Sequence, residues 1–239
     1  RVIDLVQGNG FAKQGYPARA LFSIPFVGIN EKGNPVCINE KGQATVGDLN
    51  FQERNNTDYL IYEGSTDPIY NGSLGNTFNY KGFHLNLFLT YAFGNVVRLD
   101  PVFKAKYNDL TSMNHDFKNR WMQPGDENVT NVPGVVSRYE YEQNRTLLST
   151  AYNAYNYTSV RTAKGDFIRL KEISLAYDFP HRWLENSPVN NISLKLQATN
   201  LMLLYADKKL NGQDPEFMNA GGVASPMPKQ FTLTLKLGL

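Results

Sequence analysis

The sequence predicts an all-β fold, with long antiparallel strands of the kind that wall a transmembrane β-barrel. Three observations carry that expectation. Apolar side chains recur at every second position in several runs of about ten residues, the length a tilted strand needs to cross a bilayer. A very short turn and long polar connections separate these runs. The composition excludes the competing classes. With 239 residues, 41% hydrophobic, 13% aromatic and 19% charged, the chain is too apolar for a disordered segment. Lys plus Arg number 24 and Asp plus Glu 22, so the net charge of +2 lacks the basic excess of a nucleic-acid binder. Mean hydropathy is −0.42. The longest apolar stretch, Leu201 to Ala206, is far too short for a transmembrane helix. Strands that are apolar at alternate positions escape that criterion.

Taken along the chain, the first run lies near Tyr16 to Ile29 and is weak. Pro17 and Pro25 interrupt it, and proline has no ladder N–H, so an irregular strand is expected. Residues 70–80 carry Leu74, Phe78 and Tyr80 on one face against Ser73, Gly75, Thr77 and Asn79 on the other. Lys81-Gly82 then forms a two-residue hairpin turn, with Gly82 supplying a positive φ. Residues 83–93 give the strongest signal. Phe83, Leu85, Leu87, Leu89, Tyr91 and Phe93 alternate with His84, Asn86, Phe88, Thr90 and Ala92. In 167–179, Ile168 and Leu170 are out of phase with Ile173, Leu175, Tyr177 and Phe179. A bulge near Lys171-Glu172 restores one common face. Residues 191–200 set Ile192, Leu194, Leu196 and Ala198 against Ser193, Lys195, Gln197 and Thr199. Residues 230–239 set Phe231, Leu233, Leu235, Leu237 and Leu239 against Thr232, Thr234, Lys236 and Gly238.

The connections 30–69, 94–166 and 202–229 are long and rich in Gly, Asn, Asp and Pro, whereas 81–82 is minimal and 180–190 modest. Outer-membrane barrels have long extracellular loops and short periplasmic turns. On that basis 70–80, 167–179 and 230–239 run inward, and 83–93 and 191–200 run outward. Alternation alone is equally the mark of a soluble extracellular β-sandwich that binds glycans. A connection as long as 94–166 fits poorly in a compact soluble domain, which favours the barrel.

Local strings then resemble one family. Residues 64–83, GSTDPIYNGSLGNTFNYKGF, are similar to a Gly/Pro/Asn-patterned stretch of SusC/RagA-type TonB-linked outer-membrane transporters. Lys118-Asn119-Arg120-Trp121 resembles a loop of that family, and residues 165–180, GDFIRLKEISLAYDFP, one of its strands. Gln197 to Leu201, Gly212-Gln213-Asp214-Pro215-Glu216 and Pro228 to Thr232 follow in family order. The resemblance implies a barrel of about 22 strands, as in large outer-membrane transporters. Residues 1–239 would be its C-terminal part and supply about six strands. The plug domain and TonB box would lie outside this chain. The implied location is the outer membrane of a Gram-negative bacterium. The implied activity is import of bulky nutrients, oligosaccharides or peptides, and not enzymatic chemistry. Implied partners are the remainder of the barrel and plug, a SusD-like surface lipoprotein, TonB, and membrane lipid. Arg1 in first place implies a removed signal or an internal piece of a longer protein.

The residues themselves point to no cofactor and no metal. Cys37 has no second cysteine, and His84, His115 and His181 are scattered. Asp109, Asp126 and Glu127 are ordinary loop acids. Asp214-Pro215-Glu216 is a turn-forming string with at most a calcium-loop character. On the strands, Phe83, Leu85, Leu87, Leu89, Ile192, Leu194, Leu196, Phe231, Leu233, Leu235 and Leu237 are assigned to lipid. His84, Asn86, Thr90, Lys195, Gln197 and Lys236 are assigned to the lumen. In the 94–166 connection, Trp121, Tyr139, Tyr141, Tyr152, Tyr155 and Tyr157 form an aromatic group. Such residues either pack the loop or present rigid contact area to a ligand or to the lipoprotein.

Overall fold

The computed structural model describes residues 1–8, 12–108, 113–185, 188–218 and 227–238. Leu239 and Asp109 lie outside the described residues. The strands are β1 (Ala20–Ser23), β2 (Phe26–Ile29), β3 (Pro35–Ile38), β4 (Ala44–Thr45), β5 (Ile61–Ser65), β6 (Tyr70–Tyr80), β7 (Phe83–Phe93), β8 (Val96–Arg98), β9 (Thr162–Lys164), β10 (Phe167–Asp178), β11 (Asn191–Ala206) and β12 (Gln230–Gly238). The α-helices are α1 (Val2–Val6), α2 (Arg138–Gln143) and α3 (Arg145–Tyr155). Among the described residues no helix is long and apolar enough to cross a membrane. The chain divides into two compact units. One comprises Arg1–Asp67 and Asn95–Lys164, the other Pro68–Gly94 and Gly165–Leu239.

The second unit is one antiparallel sheet in the order β12-β11-β10-β7-β6. It begins as a hairpin. Lys81 and Gly82 have φ of 45° and 85°, so both central residues are left-handed, as a type I′ turn requires. Gly82 between two alternating runs locates this turn in the sequence, and the positive φ at Lys81 is a finding of the structure. β7 then pairs with β10, and the register slips by one between Leu170 and Glu172. Lys171 is the inserted residue. The bulge therefore stands where the phase of the sequence demands it, and Ile168, Leu170, Ile173, Leu175 and Tyr177 share one face.

β11 runs to Ala206, six residues past the predicted end at Asn200. Its period is broken by two irregularities opposite Ile168–Glu172. Asn200 sits at one of them with φ 54°, a conformation asparagine tolerates. These irregularities hide the continuation from any search for strict alternation. The polar face of this sheet is closed at one end by an ion pair. Arg169 Nη2 lies 2.6 Å from both carboxylate oxygens of Asp214, and both side chains are buried. Glu216 approaches the same nitrogen at 3.3 Å but remains partly exposed. Asp214-Pro215-Glu216 is thus a clamp that fastens the segment after β11 to β10.

The run at 16–29 does not join this sheet, which corrects the expected count of about six wall strands to five in the described residues. β1 pairs with β5 and β2 with β3, and the chain breaks between them at Ile24-Pro25. All four residues of β1 are buried, so this strand has no exposed face.

The supposed loops 30–69 and 94–166 are also corrected. Together with the N-terminal residues they form the other unit, with a core of its own. Val6, Phe22, Ile24, Cys37 and Ala154 are fully enclosed at its centre. Two hairpin turns arise from one repeated string, Ile29-Asn30-Glu31-Lys32-Gly33 and Ile38-Asn39-Glu40-Lys41-Gly42. In each, the asparagine side chain accepts from the backbone N–H groups two and four residues on, at 2.9–3.0 Å. In each, the glycine takes a positive φ, 78° at Gly33 and 75° at Gly42. Two buried arginines tie the strands. Arg98 donates to Thr158 O at 2.8 Å and Phe22 O at 2.6 Å, and burial pulls its pKa down to about 10. Arg161 reaches Asp116 at 3.2 Å and Asp100 O at 3.0 Å.

Two outcomes test this description. Asp214→Ala leaves the buried Arg169 charge with only the half-exposed Glu216 as a partner, and it is expected to destabilise the 207–218 segment by about 3 kcal/mol. Glu216→Ala, at a half-exposed position, should cost under about 1 kcal/mol. Limited proteolysis of 207–218 separates the two variants. Burial pushes the Cys37 thiol from 9.0 up to about 12. Between those values the unfolded chain has lost the proton and the folded chain keeps it. Stability of this unit is therefore full below pH 9 and falls as pH rises through that window. Iodoacetamide at pH 8 should leave Cys37 unmodified until denaturant is added, which mass spectrometry reads directly.

Candidate membrane-spanning surface and outer unit

The register of the five-stranded sheet sorts its side chains into two populations, because directly opposed residues on neighbouring antiparallel strands share a face. One rung runs Phe78, Leu85, Leu175, Leu196, Leu233 across all five strands. The next runs Tyr80, Phe83, Tyr177, Leu194, Leu235, and on the other side Asn76, Leu87, Ile173, Ala198, Phe231. Leu89 pairs with Leu74 and Leu170, and Ile192 with Leu237. The intervening rungs are polar. Thr77, Asn86, Ser174, Gln197 and Thr232 form one, and Asn79, His84, Ala176, Lys195 and Thr234 another. Thr90 pairs with Ser73 and Arg169, and Lys236 with Ser193.

On the interior strands β10 and β11 exposure runs opposite to that of a soluble sheet. On β11 the apolar Leu196 is 54% exposed. Its polar neighbours Lys195 and Gln197 are only intermediate, and Asn200 is buried. On the edge strand β12, Leu233 reaches 69%. The polar face instead satisfies itself. His84 sits between Asn79 Oδ1 at 2.6 Å and Asp178 Oδ2 at 2.9 Å, and Thr77 Oγ1 donates to Asn86 Oδ1 at 3.2 Å.

Aromatic rings bound the apolar rows at both ends. At the hairpin end Phe83 and Tyr177 lie 4.4 Å apart, Tyr177 and Phe179 5.1 Å, Phe179 and Trp183 5.9 Å. At the other end Tyr91 and Phe93 lie 5.7 Å apart, with Tyr70 opposite Phe93. The end residues of β7 are about 33 Å apart along the strand at roughly 3.3 Å per residue. A tilt of about 40° leaves about 25 Å along the normal, the height of the apolar band that aromatic girdles flank in transmembrane barrels. Tyr91 also covers Gly72, where an added Cβ would meet its hydroxyl at 2.6 Å.

The aromatic group of 94–166 does not converge on one surface. Tyr152 and Tyr155 are interior, at 1% and 2% exposure, which corrects the expectation that they face a ligand. Tyr152 packs with Ala105, Leu148 and Ala151, and its hydroxyl donates to Gly134 O. Tyr155 meets Phe103 and Phe26 edge-on at 5.1 and 5.7 Å. The reason is helical. Leu148, Ala151, Tyr152 and Tyr155 fall three or four apart, on the buried face of α3. Tyr157 packs on Phe51 at the margin of the core. Trp121 lies over Gly33 and Gly134, and its Nε1 donates to Glu127 at 3.0 Å. Tyr141 is half-buried, and Tyr139 is the exposed member, at 77%. The apolar period of α3 was present in the sequence, masked by the expectation of a loop.

No family model matches the chain. It is 26% identical over 192 residues to TonB-dependent receptor P39 of Formosa agariphila, covering 75% of this chain and 17% of the relative. Its fold is similar to the structure of the RagAB peptide transporter, with TM-score 0.65 at 21% identity, over 95% of this chain and 23% of that one. The closed-closed state of the RagAB peptide importer gives TM-score 0.63 at 19% identity, over 93% and 23%. The chain thus spans about a fifth of the length of these relatives. The resemblance to TonB-linked outer-membrane transporters is shown, the location is the outer membrane of a Gram-negative bacterium, and the likeness is to receptors and transporters rather than enzymes.

The stacked tryptophan gives a specific expectation. A Cβ at Gly33 would lie 2.4 Å from the Trp121 ring, at a φ of 78° that disfavours side chains. Gly33→Ala should therefore destabilise this unit by about 1–3 kcal/mol. Gly42→Ala, in the twin turn with open space around it, should lose only the cost of the positive φ. Hydrogen exchange of 30–45 and 118–134 compares them.

Proposed function

We propose that this chain is the C-terminal wall and outer-surface part of a SusC/RagA-type TonB-dependent transporter that imports bulky nutrients, oligosaccharides or peptides. The observation that carries the reading is the inverted sheet. Two rungs are apolar across all five strands and a third across four of them, bounded by aromatic rings about 25 Å apart along the normal, with polar rungs behind them. A soluble sandwich would bury that face under a second layer.

In this reading Phe83, Leu85, Leu87, Leu89, Ile192, Leu194, Leu196, Phe231, Leu233, Leu235 and Leu237 meet lipid. His84, Asn86, Thr90, Lys195, Gln197 and Lys236 face the lumen. The outer edges of β6 and β12 pair with further strands of a barrel of about 22, because an unpaired backbone group in hydrocarbon costs several kcal/mol. The plug and the TonB-contacting segment belong to other parts of the parent protein, and a SusD-like lipoprotein closes over its outer side. TonB moves the plug, while this part supplies wall and outer structure and undergoes no chemistry. The similarity of the fold to a peptide transporter supports import of peptides as one of the two cargo classes.

Leu87 stands near the middle of β7, where a charge in lipid costs about 2–4 kcal/mol. Leu87→Arg in the full-length protein should abolish the heat-modifiable, folded band in outer-membrane fractions. Asn86→Arg, one residue away on the opposite face, should keep it. Equal behaviour of the two variants rules out the lipid assignment of this face.

A further inference from the structure

We infer that the cleft between α3 and the coil 101–107 binds the carboxylate of an acidic sugar residue. The inference deepens the transporter reading by naming a substrate class, and it rests on that reading for the ligand's presence. The cleft encloses about 310 Å³, at the lower end of small-molecule sites and suited to one end of an oligomer. Lys104 and Lys106 line it from the coil, Tyr141 from α2, and Ser149 and Asn153 from α3. The last two are four residues apart and share a helix face.

Positive charge outweighs negative here, with Lys104 and Lys106 in the wall and Glu140 the acid that bears on it, through Tyr152. Lys106 Nζ stands 5.9 Å from the Tyr141 ring centroid, and the Tyr141 hydroxyl lies 3.2 Å from Ser149 Oγ. The Ser149 hydroxyl, then Arg145 and Lys106, hold the Tyr141 phenol below the ordinary tyrosine range, so both cations reach the same spot. Among the described residues, none of Lys104, Lys106 and Arg145 is in an ion pair. Of the acids on α2, Glu142 is engaged by Arg138 at 2.8 Å, and Glu140 bears on the Tyr152 phenol. Two lysines in the wall of a concave surface, with Arg145 acting on Tyr141 at its rim, attract an anion.

The other groups select a sugar over a peptide. A peptide added as a strand is held by backbone pairing, and three backbone groups of this wall, Phe103 N, Phe103 O and Lys104 N, are already bonded. Asn156 accepts from Phe103 N at 3.1 Å and donates to Phe103 O at 2.8 Å. Tyr107 accepts from Lys104 N at 2.9 Å. What the wall offers a ligand is the Asn153 amide and the Tyr141–Ser149 hydroxyl pair, bonded to each other at 3.2 Å with lone pairs to spare, beside an aromatic ring that suits the C–H face of a pyranose.

The test uses the full-length transporter purified in detergent, titrated by calorimetry with trigalacturonate, with neutral maltotriose and with triglutamate. Trigalacturonate should bind saturably, and more weakly as salt is raised. Lys106→Gln should weaken it about tenfold, and Lys106→Gln with Arg145→Gln further. Lys41→Gln, at a cation outside the cleft, should leave it unchanged. Absence of saturable binding, equal binding of maltotriose, preference for triglutamate, or indifference to the two cleft substitutions overturns the inference. Heat-modifiable folding reads the transporter assignment separately, so a folded protein that ignores trigalacturonate sinks this inference alone.

Discussion

A strand crossing hydrocarbon must find every hydrogen-bond partner for its backbone in the strands beside it, because the medium offers none. In the proposed transporter the five-stranded sheet answers that constraint. Its central member, β10, is paired along nearly its whole length on both sides. Where the side-chain phase needs correcting, it is corrected by inserting Lys171 as a bulge within a continuing ladder, and the ladder on the β11 side absorbs its own irregularities around Asn200 and Leu204. Neither device opens the sheet. The side chains then follow from the pleat: one face mainly apolar, the other carrying its own hydrogen bonds and the Arg169–Asp214 pair.

The same logic explains why the connections are not simple loops. A long segment between strands carries many backbone groups and, here, many apolar side chains: Val2, Phe22, Ile24, Leu148, Tyr152 and Tyr155. Left as coil, those side chains would stay in water. They are gathered instead into a unit with its own short strands and helices. Two buried arginines carry hydrogen bonds that the short strands cannot make among themselves, with Arg98 held to Phe22 O and Thr158 O and Arg161 to Asp100 O. Tyr152 and Tyr155 serve as the interior of this unit.

How much was legible follows from which signals are local. The hairpin 70–93 was readable because alternation, turn residues and strand length agreed over consecutive positions. The bulge at Lys171 was readable because a one-residue phase slip has one economical repair. The extension of β11 past Asn200 was not, since its irregularities erase the period that a sequence search relies on. The twin turns at Asn30 and Asn39 are written plainly as a repeated string, and their common geometry pairs an Asn side chain with a Gly three positions on. The cationic cleft was not legible, because Lys104 and Lys106 are far along the chain from Tyr141, Arg145 and Ser149, and only folding brings them together.

By itself, then, the sequence determined the two faces of the membrane-type strands, the position of the tight hairpin and of one bulge, and the likeness to TonB-linked transporters. These depend on neighbours along the chain and on a period of two. Tertiary structure alone decided that the run at 16–29 leaves the wall, that 30–69 and 94–166 hold a core, that Tyr152 and Tyr155 turn inward, and that Asp214 closes on Arg169. Each of these is a contact between distant positions, stabilised by burying apolar surface or a charge whose partner no local pattern announces.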